Sequence, residues 1–159
     1  MAEKNQVVNL AKKQKQLPEL VNKQVANWTV LYTKLHNYHW YVKGPEFFSL
    51  HVKLEELYNL ADQYIDEIAE RLLAINGKPV ATLKESLQLA SIDEAKGNES
   101  TEEMVQAVVD DFKTIMKEIK QLIEISDDNH DDATSDLFTG IRTELEKNIW
   151  MLEAFLGKR

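Results

Sequence analysis

The stretch SLHVKLEELYNLADQYIDEIAERLL, residues 49–73, sets one imidazole and three carboxylates beside an apolar helical stripe: His51, Glu55, Asp66 and Glu70. A helix turns about 100° and rises about 1.5 Å per residue, which places these four within an arc of roughly 100°. They form two i,i+4 pairs. His51 and Glu70 nevertheless stand roughly 28 Å apart along the axis, so one copy of the helix cannot bring all four to one ion. Two copies can. Positions 51 and 70 are equidistant from the helix midpoint, and so are 55 and 66. An antiparallel copy across a two-fold axis would set His51 and Glu55 of one chain against Glu70 and Asp66 of the other. A two-fold contact is isologous, so two equal sites result. Phe48, Ala69 and Leu73 share the face and give it an apolar component to bury. Nitrogen with several carboxylate oxygens is the ligand set of iron, manganese or zinc, and carboxylates this close would repel without a cation between them. The competing reading is a solvated acidic face with ordinary i,i+4 polar pairs.

LHNYHW, residues 35–40, adds His36 and His39 near the end of the preceding helical segment. A tight turn follows, so His39 can approach the start of the next helix as a further ligand. His36 has the weaker case and can instead contact a carboxylate or carbonyl.

Four long helical patterns must position these groups. The first runs from about Pro18, placed in the first turn where its missing N–H costs nothing, to Lys43, and Gly44-Pro45 ends it. The second runs from about Glu46 to Ile75 and stops at Asn76-Gly77. The third opens on a capping box, Ser100 and Glu103, and carries Val105, Val108, Phe112, Ile115, Ile119 and Leu122 at helical spacing. The fourth runs from near Asp131 to Gly157. Short links make helices one and two antiparallel, and likewise three and four. Residues 76–100 form one long crossover, in which TLKESLQLA reads as a short extra helix. The predicted fold is therefore all-α: a ferritin-like four-helix bundle with a short helix in the crossover between helices two and three.

The 159 residues suffice for one domain with a sizeable core. The composition, 43% hydrophobic and 29% charged, is globular, not disordered. No apolar run can span a bilayer, there is no secretory signal, and the chain has no cysteine, hence no disulfide scaffold and no thiolate metal site. A cytoplasmic location is the expectation, with nucleoid association as its variant. The formal charge of −8 is uneven. Residues 1–24 carry about +3, leaving an acidic body that attracts cations and repels nucleic acid. The expected organisation is a flexible basic tail over residues 1–17, with Lys4, Lys12, Lys13 and Lys15, followed by a bundle domain over 18–159.

KLHNYHWYVKGPEFFSLHVKLEELYNLADQYIDEIAERLLAINGKPVATLKE, continued by TSDLFTGIRTELEKNIWMLEAFL, resembles the Dps proteins, the mini-ferritins, of Bacillus type. The resemblance covers nearly everything from about residue 20 onward. Its specific elements are His-Trp, Gly-x-x-Phe-Phe, Leu-His and Asp-Glu-x-Ala-Glu-Arg. It implies a dodecameric cage built on two-fold dimers. Each two-fold interface would hold a di-iron ferroxidase site, with His39, His51 and Glu55 from one subunit and Asp66 and Glu70 from its partner. Many members have Asp where Glu55 stands. The implied reaction is oxidation of Fe(II) by hydrogen peroxide, more slowly by dioxygen, with ferric mineral stored in the cavity and protection from oxidative stress as the result. Trp40 matches a tryptophan that takes up stray oxidising equivalents, although an interface aromatic explains it equally. Glu56 is an expected inner-surface acid.

SDDNHDDATSD, residues 126–136, has the opening rhythm of a calcium loop, but Asp132 and Phe138 stand where Gly and Glu are required, and that reading fails. The resemblance places Asp127, Asp132 and Asp136 at three-fold pores as an iron entrance; as helix-start acids, Asp132 and Asp136 also complement the dipole. His130 has no assigned role. The family name implies DNA binding, which here would be non-specific and would rest on the four tail lysines. The alternative function is accordingly a DNA-compacting protein in which iron chemistry is secondary.

Overall fold

The structure is a computed structural model that describes residues 2–158, with side chains from residue 16 onward. Lys4, Lys12, Lys13 and Lys15, the predicted tail lysines, lie outside the described side chains. Among the described residues there are five helices and no strand: α1 (Ala2–Tyr41), α2 (Phe47–Ala74), α3 (Leu83–Leu89), α4 (Thr101–Asp128) and α5 (Asp132–Phe155). α1 packs on α2, α3 and α4, and α4 packs on α5. No described helix is long and apolar enough to cross a membrane.

One boundary differs from expectation. α1 starts at Ala2, and Pro18 stands inside it, not in its first turn. An interior proline removes a backbone hydrogen bond and crowds the preceding turn, costing about 3 kcal/mol. The residues before it are rich in Lys, Gln and Ala, which are strong helix formers.

The remaining ends follow local chemistry. Ser100 and Glu103 form the predicted capping box, each side chain accepting from the other's backbone N–H. α2, α4 and α5 all finish in the same way, with a residue in the left-handed region and paired 6→1 and 5→2 hydrogen bonds. For α2 these are Gly77 N–H to Leu72 O at 2.8 Å and Asn76 N–H to Leu73 O at 3.0 Å, with Asn76 at φ 63°. For α4 they are Asp131 N–H to Ser126 O at 2.9 Å and His130 N–H to Asp127 O at 3.0 Å, with His130 at φ 57°. Gly157 takes the same place after α5 at φ 69°. His130 thus has a turn-forming role that its sequence context did not show.

The core is aromatic at its centre. Trp28 of α1 meets Tyr64 of α2 edge-on at 4.9 Å and Phe112 of α4 at 6.3 Å. Leu31, Leu35, Leu57, Ile68, Ile115, Ile119 and Phe138 are fully buried around them, each contributing about 1.5–3 kcal/mol of burial. The crossover is held to this body by polar contacts. Glu118 accepts from Gln24, Asn27 and Ser91. Asn27 Oδ1 accepts from Ser91 N–H at 2.7 Å, and Asn22 Oδ1 from Val80 N–H at 2.8 Å.

Glu99 closes the crossover on α1. It accepts from the Tyr38 hydroxyl and from Lys96 and Gly97 N–H, all at 2.8 Å. Burial works to raise its carboxyl, but these hydrogen bonds outweigh it and hold the group at about 2, below the ordinary 4.5. A depressed carboxyl stabilises the fold above its unfolded pKa and loses that contribution as pH falls toward the folded one. Between about pH 4.5 and 2, therefore, the melting temperature of Glu99→Gln should fall less steeply than that of wild type. Parallel curves would contradict this account of the carboxyl.

Candidate metal centre

The turn from α1 to α2 brings the two central histidines together. Gly44 adopts φ 110°, in the region open to glycine, and Phe47 N–H closes back on Gly44 O at 3.1 Å. The chain reverses, and His39, in the last turn of α1, comes beside His51, in the second turn of α2. Their rings stack at 3.7 Å with 20° between planes. Each is tied to the other's main chain: His39 Nδ1 to His51 O at 2.8 Å, and His51 Nδ1 to His39 O at 2.9 Å. A carbonyl oxygen can only accept, so each Nδ1 carries the proton in this bond. The lone pair of each neutral ring is thereby assigned to Nε2, the form in which imidazole binds metals.

Neighbouring rings brace the pair. Phe47 stacks on His51 at 4.9 Å, and Tyr58 stands edge-on to His39 at 5.2 Å. Tyr58 is a support that the sequence reading missed; its i,i+7 relation to His51 on α2 was the available signal. Burial first, then the charge of Glu55 and the neighbouring Tyr32, push its phenol above the ordinary value. His39 is buried and His51 half-buried.

His36 makes the carbonyl contact expected as its alternative to ligation. Its Nδ1 donates to Tyr32 O in the same helix at 3.0 Å, and its ring stacks on Tyr58 at 3.9 Å. Trp40 lies edge-on to His36 at 5.4 Å and is 67% exposed. Glu56 is exposed and pairs with Lys53 at 3.1 Å.

Glu55, Asp66 and Glu70 are all exposed on α2. Among the described residues, no three His, Cys, Asp or Glu side chains of one chain come together to hold a metal ion. The chain thus presents two donor sets on one face: imidazoles and Glu55 toward the start of α2, Asp66 and Glu70 toward its end. Apolar residues flank them, with Phe48 83%, Val52 54% and Leu73 59% exposed. Positions 48 and 73, like 52 and 69, are equidistant from the same helix midpoint as the polar pairs.

Asp127, in the last turn of α4, and Asp132 and Asp136, in the first two turns of α5, are also exposed. None of the three has a cationic partner among the described residues, whereas Asp131 is paired with Arg71 at 2.6 Å. That pair, a contact between α2 and the α5 cap, was not foreseen from the sequence.

The five-helix arrangement and its interior are those of the ferritin-like class, and residues 18–159 match the ferritin-like domain family. Among curated relatives, the chain is 59% identical over 142 residues to general stress protein 20U of Bacillus subtilis, covering 89% of this chain and 98% of that protein. It is 58% identical over 144 residues to DNA protection during starvation protein 2 of Bacillus anthracis, covering 91% and 99%. The crystal structure of a Dps protein from Bacillus brevis superposes with a TM-score of 0.89 at 53% identity, covering 91% of this chain and 97% of that one. The chain belongs to the Dps family, and within it to the Bacillus type.

The tautomer assignment is directly measurable. Nitrogen-15 spectra of the labelled imidazoles in their neutral form should show Nδ1–H and bare Nε2 for both His39 and His51, with added Zn(II) shifting Nε2. Bare Nδ1 on either ring would contradict the reciprocal bonding.

Proposed function

We propose that the protein is an iron-sequestering mini-ferritin: a ferroxidase that oxidises Fe(II) at sites shared by two subunits and stores the ferric product inside a dodecameric cage. The supporting observation is the His39–His51 pair, oriented to offer two Nε2 atoms, on a helix face whose Asp66 and Glu70 stand too far along the axis to join them within one chain.

In this reading α2 lies antiparallel to the same helix of a second subunit. His39, His51 and Glu55 of one subunit face Asp66 and Glu70 of the other. The exposed apolar residues Phe48 and Leu73 meet across the contact and supply its dry component. Iron is the substrate. Two Fe(II) ions give one electron each to hydrogen peroxide, which leaves as hydroxide without forming hydroxyl radical; dioxygen serves as the slower oxidant. Carboxylate oxygens favour Fe(III), the harder ion, and so draw the reaction toward oxidation. Trp40, next in sequence to His39 and largely exposed, would take up a stray oxidising equivalent. Asp127, Asp132 and Asp136, repeated about a three-fold axis, form a negative entrance for Fe(II). The work is cytoplasmic and protects against oxidative stress.

The decisive comparison is peroxide-driven iron oxidation in wild type and in a His51→Ala, Asp66→Ala double variant. One nitrogen and one carboxylate oxygen are lost from each centre, so oxidation should fall by 10-fold or more, on the order expected when metal-site residues are changed. Equal rates would remove the centre.

A second reading, DNA binding, is supported by the name of the Bacillus anthracis relative, DNA protection during starvation protein 2, and by the four lysines at positions 4, 12, 13 and 15. Multiple tails on one cage would act together on phosphates. Gel-shift binding should disappear on deletion of residues 2–15 and weaken steeply as salt rises. Binding indifferent to both changes would exclude a lysine-tail mechanism.

A further inference from the structure

We propose that Arg71 is a positioning residue that aims the entrance carboxylates Asp132 and Asp136 by clamping the start of α5 onto α2. This rests on the entrance role given to those acids above. Arg71 Nη2 donates to Asp131 Oδ1 at 2.6 Å, and its Nε donates to Thr134 Oγ1 at 2.7 Å. Thr134 closes the ring. Its hydroxyl donates to Asp131 Oδ2 at 2.6 Å and its backbone N–H to Asp131 Oδ1 at 3.1 Å. A planar guanidinium thus grips two residues of one helical turn, which fixes rotation about the helix axis as well as distance.

Asp131 is the node of this arrangement. Its carboxylate is the N-cap of α5 and takes the guanidinium from α2. Its backbone N–H reaches Ser126 O at the end of α4. Three elements therefore converge on one residue. Burial works to raise its carboxyl, but Thr134 and Arg71 outweigh it and hold the group below its ordinary value, so the clamp persists at neutral pH. Thr134 is fully buried. On the α5 wheel Asp132 and Asp136 lie within about 40° of each other and about 160° from Thr134. Gripping the buried side therefore sets the direction of the opposite side, where the entrance acids stand.

Charge and geometry make opposite forecasts, which gives the test its force. Arg71→Met removes a cation near the entrance and leaves the cage more negative. If only charge mattered, Fe(II) would be drawn in better and KM would fall. If Arg71 aims the acids, KM rises in spite of the added negative charge. The experiment is steady-state peroxide-driven oxidation across Fe(II) concentrations, using the full chain as assembled. Expected for Arg71→Met is a KM for Fe(II) raised about three-fold or more, with kcat within about two-fold, the signature of impaired capture with the chemistry spared. Arg71→Lys keeps the charge but cannot reach both partners, so it should resemble Arg71→Met. An unchanged or lowered KM, or a loss confined to kcat, overturns the proposal.

Should Arg71→Met fail to assemble, Arg71→Lys and Thr134→Val are judged by the same criteria. A wild type that oxidises no Fe(II) would defeat the ferroxidase reading separately. Terbium(III) titration, which needs no oxidation, then decides the point. Weaker Tb(III) binding by Arg71→Lys than by wild type supports the positioning role, and equal binding overturns it.

Discussion

The exchange of hydrogen bonds between His39 and His51 is the constraint on which the site depends. Each ring gives its Nδ1–H to the other residue's carbonyl at 2.8 and 2.9 Å. Neither bond can form unless the chain reverses sharply between them, which Gly44 and Pro45 ensure. The bonds weld the end of α1 to the start of α2 and assign both lone pairs to Nε2. The same two contacts hold the turn and orient both rings. A loss of either bond frees one ring to rotate and to exchange tautomers, which costs preorganisation before it costs stability.

The bundle interior explains why the proposed centre would lie at the surface of α2. Where α1, α2 and α4 meet, Trp28, Tyr64 and Phe112 fill the space with aromatic rings. An ion among these rings would lose its hydration. The donors stand instead on an outer face mixed with Phe48, Val52 and Leu73, large apolar groups left exposed in the single chain. Such a face is an unfavourable one to leave in water. The proposed site shared between twin helices would account for its apolar and acidic residues together.

Much of this was legible in the sequence because the signals were local. The capping box at Ser100, the stop at Asn76-Gly77, the short helix in the crossover and the symmetric spacing of His51, Glu55, Asp66 and Glu70 all follow from neighbours within a few turns. Tertiary decisions were not legible. His36 and His39 are the same residue type three positions apart, yet one bonds its own helix and the other reaches across a turn. Arg71 and Asp131 are sixty residues apart and leave no periodic trace. Pro18 reads as a helix boundary, while the helix-forming residues before it carry α1 back to Ala2.

The central claim is that the two halves of each centre come from different subunits, and subunit mixing tests it most directly. Chains carrying only His51→Ala and chains carrying only Asp66→Ala each spoil every site of their own assemblies. When the two are dissociated together and reassembled, half the two-fold pairs are mixed, and each mixed pair has one intact site and one doubly damaged site. The account predicts that iron oxidation returns to about one quarter of the wild-type rate. A reassembled mixture no more active than its parents would contradict it.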